Sequence, residues 1–133
     1  MTAQHQPNNL HRLVSELWTL MDLPASSFGS LTERDVPRSS GTYIVYEGAD
    51  PLYAGSSGRG QRGLQWRLIG NHKRGVGQDT FRRKLGTRTG LSGRQLSAYI
   101  RTHCCVRWRQ LSLRDAELLE HFAIAVLNPP LNG

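Results

Sequence analysis

The closing segment constrains the fold most. Ser112-Leu113-Arg114-Asp115 reads as a helix start, resembling a capping box with Asp in place of Glu. From Ala116 the apolar residues return at helical spacing as far as Leu127, and Pro129-Pro130 ends the run. At about 100° per residue, Leu119, Ala123, Val126 and Leu127 fall within about 80° of Ala116. Glu120 lands inside that stripe, about 40° from Ala116. Glu117 lies at its edge, and His121 lies further out, toward solvent. One apolar face must be buried against another layer, and a carboxylate caught in that face is costly unless something compensates it. In a basic chain an Arg partner is one answer. A divalent cation, which takes carboxylate oxygens, is the other.

The layer for this helix to cover is legible upstream. Residues 42–46 (Thr-Tyr-Ile-Val-Tyr) are β-branched and aromatic and read as a strand. Residues 47–51 make a turn, and Leu52-Tyr53-Ala54 starts a second strand that pairs back as a hairpin. A glycine-rich loop over 55–63 leads to a helix from about residue 64. Residues 80–85 and 92–102 read as two more short helices. Residues 104–111 alternate Val106 and Trp108 with Arg107 and Arg109, which makes a third strand. Near the N-terminus, Leu10, Leu13, Val14, Leu17, Leu20 and Met21 repeat at three and four, so residues 9–22 form an amphipathic helix capped by Asn9. Residues 1–8 are a polar lead and residues 25–40 a connection. The expected fold is α+β, a small three-stranded, mainly antiparallel sheet flanked by helices. The expected division is an extension with one helix over 1–38 and a domain over 39–133, within the 133 residues of the chain. The N-terminal helix either packs on the core or forms the seam of a homodimer.

Charge narrows the partners. The formal net charge is +7, and residues 59–109 carry 13 of the 17 Lys and Arg residues with Asp79 as the sole acid. A small domain with such an asymmetric basic stretch is built for a polyanion, nucleic acid being the commonest. Arg dominates over Lys, which suits bidentate contacts to phosphate. Other classes fall away. No apolar run is long enough to span a membrane, and the polar start lacks the core of a signal peptide. Cys104 and Cys105 are neighbours, which disfavours a structural bridge and implies a reduced, cytoplasmic setting. The five His residues show no zinc-ligand spacing, and Gly55-Ser56-Ser57-Gly58-Arg59-Gly60 lacks the Lys-Ser/Thr ending of a phosphate-binding loop.

Together these residues match a known pattern. Gly41-Thr42-Tyr43 followed by Tyr53-Ala54-Gly55 resembles the paired motifs that name the GIY-YIG nuclease superfamily. Leu64-Gln65-Trp66-Arg67-Leu68 resembles the helix that carries the family's essential Arg. The segment from Glu120 to Asn132 resembles the family's closing helix and tail, with a metal-binding Glu and an Asn twelve residues on. The resemblance covers about residues 39–133. It implies a stand-alone endonuclease that hydrolyses DNA phosphodiester bonds with one divalent metal. Glu120 would hold Mg²⁺ or Mn²⁺ beside the scissile phosphate. Arg67 would neutralise transition-state charge. Tyr43 or Tyr53 would orient or deprotonate the attacking water, a base role that requires a nearby cation to lower a pKa of about 10. Asn132 would hold the geometry from the tail.

The pattern also departs from the family. The middle residues of both motifs are changed, and the loop before Arg67 is longer, which adds Arg59 and Arg62. Many members place a His four residues beyond the Arg. Here that position is Asn71, and His72 is turned about 100° away on a continuous helix unless Gly70 breaks it. His72 completes the expected catalytic set, and Arg59, Arg62, Lys73, Arg74, Arg82, Arg83 and Lys84 are the expected DNA contacts. The rival is a non-catalytic basic module that binds nucleic acid without a metal. A third reading is a domain whose positive charge meets an acidic protein.

Overall fold

A computed structural model describes residues 5–58 and 63–133. In chain order these form helix α1 (His5–Asp22) and strands β1 (Ser26–Ser27), β2 (Gly41–Glu47) and β3 (Asp50–Ser57). Next come a short helix α2 (Gly63–Gln65) that widens into a π-helical segment (Trp66–Lys73), then α3 (Thr80–Thr89) and α4 (Gly93–His103). Strand β4 (Cys104–Gln110) and helix α5 (Leu113–Leu127) close the chain. Among the described residues the architecture is α+β, an open four-stranded antiparallel sheet in the order β1-β4-β2-β3 with five helices.

The sheet has four strands rather than the expected three. The addition, β1, lies in the segment read as a connection. It pairs only Ser26 and Ser27 with Val106 and Cys105, too short a run to leave an alternating pattern. Strand β3 reaches through Gly55 to Ser57, which the glycine content had suggested was loop. The β2–β3 turn is Gly48-Ala49, with Gly48 left-handed at φ +61°.

Strand β2 is buried from Gly41 to Tyr46 because both faces of the sheet are covered. Tyr43 and Val45 point into a core with Leu64, Leu68, Phe81, Leu85, Leu96 and Ile100, contributed by α2, the π-segment, α3 and α4. Ile44 and Tyr46 point the other way, onto Leu17 and Leu20 of α1 and Leu119 and Ala123 of α5. Helix α1 thus packs on the core. Glu16 accepts two hydrogen bonds from Arg109 of β4, at 2.8 and 3.0 Å, which fixes that docking. It starts at His5, so Asn9 lies inside the helix rather than capping it. Its outer face leaves Leu10, Val14 and Trp18 exposed.

Helix α5 starts as the sequence suggests, with the Ser112 hydroxyl accepting from Asp115 N–H at 3.3 Å. The Asp115 carboxylate does not reach back to complete a box. It accepts from Arg12 of α1 at 3.1 Å instead. The buried stripe is Ala116, Leu119 and Ala123, whereas Val126, expected within it, is 56% exposed. Among the described residues no helix is long and apolar enough to cross a membrane.

Candidate active site

Three side chains from three elements form one hydrogen-bonded chain. Tyr43, in the middle of β2, lies with its Oη 2.7 Å from His72 Nε2. The other ring nitrogen, His72 Nδ1, lies 2.7 Å from Asp79 Oδ2. Only 1% of the His72 side chain and 3% of Asp79 are exposed. Asp79 is fixed in turn as the cap of α3, its Oδ1 accepting from Arg82 N–H at 3.3 Å.

Electrostatics assigns the protons. Burial pushes the Tyr43 phenol well above its ordinary pKa, and Tyr53 adds to the shift. Burial also lowers His72, outweighing the opposing pull of Asp79. Burial alone would raise Asp79, but the hydrogen bonds from His72 and from the Arg82 backbone, with the charge of Arg82, hold that carboxyl below its usual range. So Tyr43 O–H donates to a neutral imidazole at Nε2, and His72 Nδ1–H donates to an ionised Asp79. Tyr43 therefore lacks the lowered pKa that a phenolate base requires. Arg67 does oppose the shift, but burial outweighs it.

The π-helical segment is what brings His72 here. A continuous α-helix would turn it away from the face of Arg67, and a break at Gly70 was the expected remedy. The helix is not broken. Turns of i→i+5 type absorb one extra residue over Trp66–Lys73 and carry His72 under Tyr43. Asn71 accepts from Arg67 Nη1 at a long 3.4 Å and donates to Val76 C=O at 2.7 Å. Gly70 suits this coil, because a Cβ there would lie 2.3 Å from the Trp66 ring.

Gly55 pairs with Tyr43 across the hairpin, and a Cβ on it would lie 2.4 Å from the Tyr43 oxygen. That contact accounts for a glycine two residues after Tyr53. Tyr53 itself is half-buried, its ring edge-on to His72 at 6.1 Å and 6.4 Å from Tyr43. Its hydroxyl has no hydrogen-bond partner among the described residues. Burial raises its pKa, with Glu120 and Asp79 adding and Arg67 opposing.

Glu120 of α5 is half-buried beside β3, where Oε1 accepts a short hydrogen bond from Ser56 Oγ. Of the two alternatives for compensating it, the Arg partner is not found, since no Lys or Arg pairs with it among the described residues. Asn132 clamps the tail to β3, accepting from Ala54 N–H at 2.8 Å and donating to Ala54 C=O at 2.9 Å. Among the described residues no three His, Cys, Asp or Glu side chains cluster as ligands. Glu120 is thus a single carboxylate beside a hydroxyl, a donor set that fits a hard cation retaining most of its own water.

The expected DNA contacts divide. Lys73 donates to Leu31 C=O, and Arg74 pairs with Glu33 at 2.6 Å. Arg82 donates to His72 C=O and to Ser97 Oγ, both at 2.9 Å, and Lys84 donates to Gly133 C=O at 2.8 Å. Lys73, Arg82 and Lys84 thereby serve the fold, because carbonyls at turns and helix ends need donors, whereas the Arg74–Glu33 pair is exposed on both sides. Arg83 is exposed and, among the described residues, unpaired. Arg59 and Arg62 lie outside the described residues.

Sequence reasoning missed Asp79 and Ser56 as site residues. Asp79 had a signal, as the one acid in a basic stretch and just ahead of a helix. Ser56 had none beyond its place next to Gly55. Comparison of the chain with known families, curated proteins and solved structures gives no match.

Proposed function

We propose that this chain is a GIY-YIG-type endonuclease that hydrolyses DNA phosphodiester bonds with one divalent cation, Mg²⁺ or Mn²⁺. The observation that carries this reading is the gathering of Tyr43, Tyr53, Arg67, His72 and Glu120 about the β2–β3 hairpin, in a chain of charge +7. Surface tyrosines and arginines scattered at random would not share one electrostatic neighbourhood.

Glu120 would hold the cation, which when bound supplies charge neutralisation at the phosphate and leaving oxygens. The chain's own residues do the rest. Arg67 has one long hydrogen bond and spare donors, so it can grip a non-bridging oxygen and answer the charge that grows in the transition state. Tyr53, with its hydroxyl unengaged, orients the attacking water. As the water oxygen bonds to phosphorus and the P–O bond to the leaving oxygen breaks, the water proton passes to Tyr43 Oη. The Tyr43 proton passes at the same time to His72 Nε2, and Asp79 stabilises the imidazolium. No phenolate forms, so the raised pKa of Tyr43 is no obstacle. Asn132 keeps β3 in place between Tyr53 and Gly55.

The purified chain should nick supercoiled plasmid with Mg²⁺ or Mn²⁺ and stop on addition of EDTA. Glu120→Ala and Tyr43→Phe should each slow nicking by about 100-fold or more. A protein inert on single- and double-stranded DNA with either ion would sink this reading and leave the metal-free binding module.

A further inference from the structure

Helices α3 and α4 are joined by only three residues, Gly90-Leu91-Ser92. The joint is specified by its glycines. Gly90 caps α3 in the left-handed region at φ +76°, and its N–H returns to Gly86 C=O at 2.8 Å. Gly86 itself must be small, because a Cβ on it would lie 2.9 Å from Leu91 C=O, where the turn folds back over α3. Leu85 and Leu96 face the core from the two helices, and Arg82 ties α3 to Ser97 of α4. Tyr99 donates to Glu47 of β2 and anchors α4 to the sheet. Two helices joined by a three-residue glycine turn, with the second helix presenting a free face, share the connectivity of the helix–turn–helix class of motifs.

The free face has one chemistry. Arg94, Gln95, Ala98 and Arg101 are all exposed and fall within about 120° on α4, opposite Leu96 and Ile100. Neither arginine side chain has a partner among the described residues. Residues 80–103 contain six Lys and Arg residues and no acid. Arg and Gln are the side chains whose paired donors and acceptors match guanine and adenine edges, and an exposed Ala admits close approach to a thymine methyl. The start of α3 is also part of the site already described, since Asp79 caps it and Phe81 packs 5.6 Å from Tyr53 and 4.8 Å from His72.

We propose that α3 and α4 are a sequence-reading head, with α4 entering the major groove of duplex DNA and Arg94 and Gln95 contacting base edges. This rests on the nucleic-acid part of the reading above and not on its chemistry. It makes the chain a nuclease that chooses where it binds, with the cut at a fixed offset from the α4 footprint.

The test uses the full chain carrying Glu120→Gln, so that binding is measured without cleavage. Selection from a random duplex pool should enrich a short consensus. Arg94→Ala and Gln95→Ala should each lower preference for that consensus over scrambled duplex by about 5- to 150-fold. Arg114→Ala, an exposed change on α5, which packs on the other face of the sheet, should leave the preference intact. Thermal melting of each variant separates lost recognition from lost folding. A pool that enriches no sequence overturns the proposal, as does a consensus unaffected by either α4 substitution in folded variants. Stronger competition by single-stranded DNA or RNA than by duplex overturns it too. Sequence-selective binding by a wild-type chain that never nicks DNA would instead uphold the reading head and fail the nuclease.

Discussion

Asp79 makes no contact with a phosphate in the proposed scheme, yet His72 depends on it. An imidazole buried against Phe81 and two tyrosines would otherwise lack a fixed tautomer, and the acceptor nitrogen would not always face Tyr43. The titration sign follows from burial. His72 is held below its ordinary 6.5, so the folded state keeps it neutral where the unfolded chain already takes a proton. That neutral imidazole favours the fold above about pH 6.5, and the advantage is lost as pH falls from there through the folded value. The proposed activity needs a free Nε2 and should show an acid limb in the same window. Asp79 opposes the burial effect, so Asp79→Asn should lower His72 further and move that limb to lower pH. The same change should cut the plateau rate by about 100-fold or more, since an imidazolium would form without its carboxylate. A pH–rate profile checks both. A slower enzyme with an unmoved limb would reduce Asp79 to a cap for α3.

Elements differ in how plainly the chain announces them. Strand β4 and helix α5 follow from periodicities of two and 3.6, and β2 and the start of β3 from their β-branched and aromatic residues. The π-helical segment does not follow, since a 3.6 rule applied to Trp66–Lys73 misplaces His72, and the i→i+5 turns are visible only once the backbone is built. Strand β1 is a product of tertiary pairing at two residues, with no local pattern to read. Within the site, Glu120 stood out from helical spacing, and Tyr43, Tyr53, Arg67 and Asn132 were suggested by the family resemblance, whereas Asp79 depends on a loop whose path no local rule gives. Glycines mark where elements close on each other. A Cβ at Gly41 would lie 2.3 Å from Arg109 C=O of β4 and 2.6 Å from Leu64 of α2. Because the first of these is backbone, no rotamer relieves it. Gly41→Ala should therefore cost about 1–3 kcal/mol in chemical denaturation, read as a lower midpoint at an unchanged slope.

At the scale of the molecule, the sheet separates two tasks. One face carries α1 and α5 and is held by apolar packing with the Arg109–Glu16 pair. The other carries α2, the π-segment, α3 and α4, and with them the Tyr43–His72–Asp79 chain. Glu120 reaches the site from α5, past β3 at Ser56. Net charge alone overstates how many cations are free for the proposed DNA contact. Lys73, Arg74, Arg82 and Lys84 are engaged by the protein. Arg67, Arg83, Arg88, Arg94 and Arg101 retain donors for phosphates or bases among the described residues. With Arg94 on a base edge, four phosphate contacts predict that log K falls with log salt at a slope of about −3 to −4. Arg83→Gln should flatten that slope by about one, because a phosphate contact and its released counterion are lost together. Lys73→Gln should leave it unchanged, because the Lys73 ammonium is already spent on the Leu31 carbonyl. Fluorescence anisotropy with duplex DNA over a range of salt concentrations measures both. Equal flattening by the two substitutions would mean that the basic stretch acts as a diffuse field, with no track formed by its unpaired arginines.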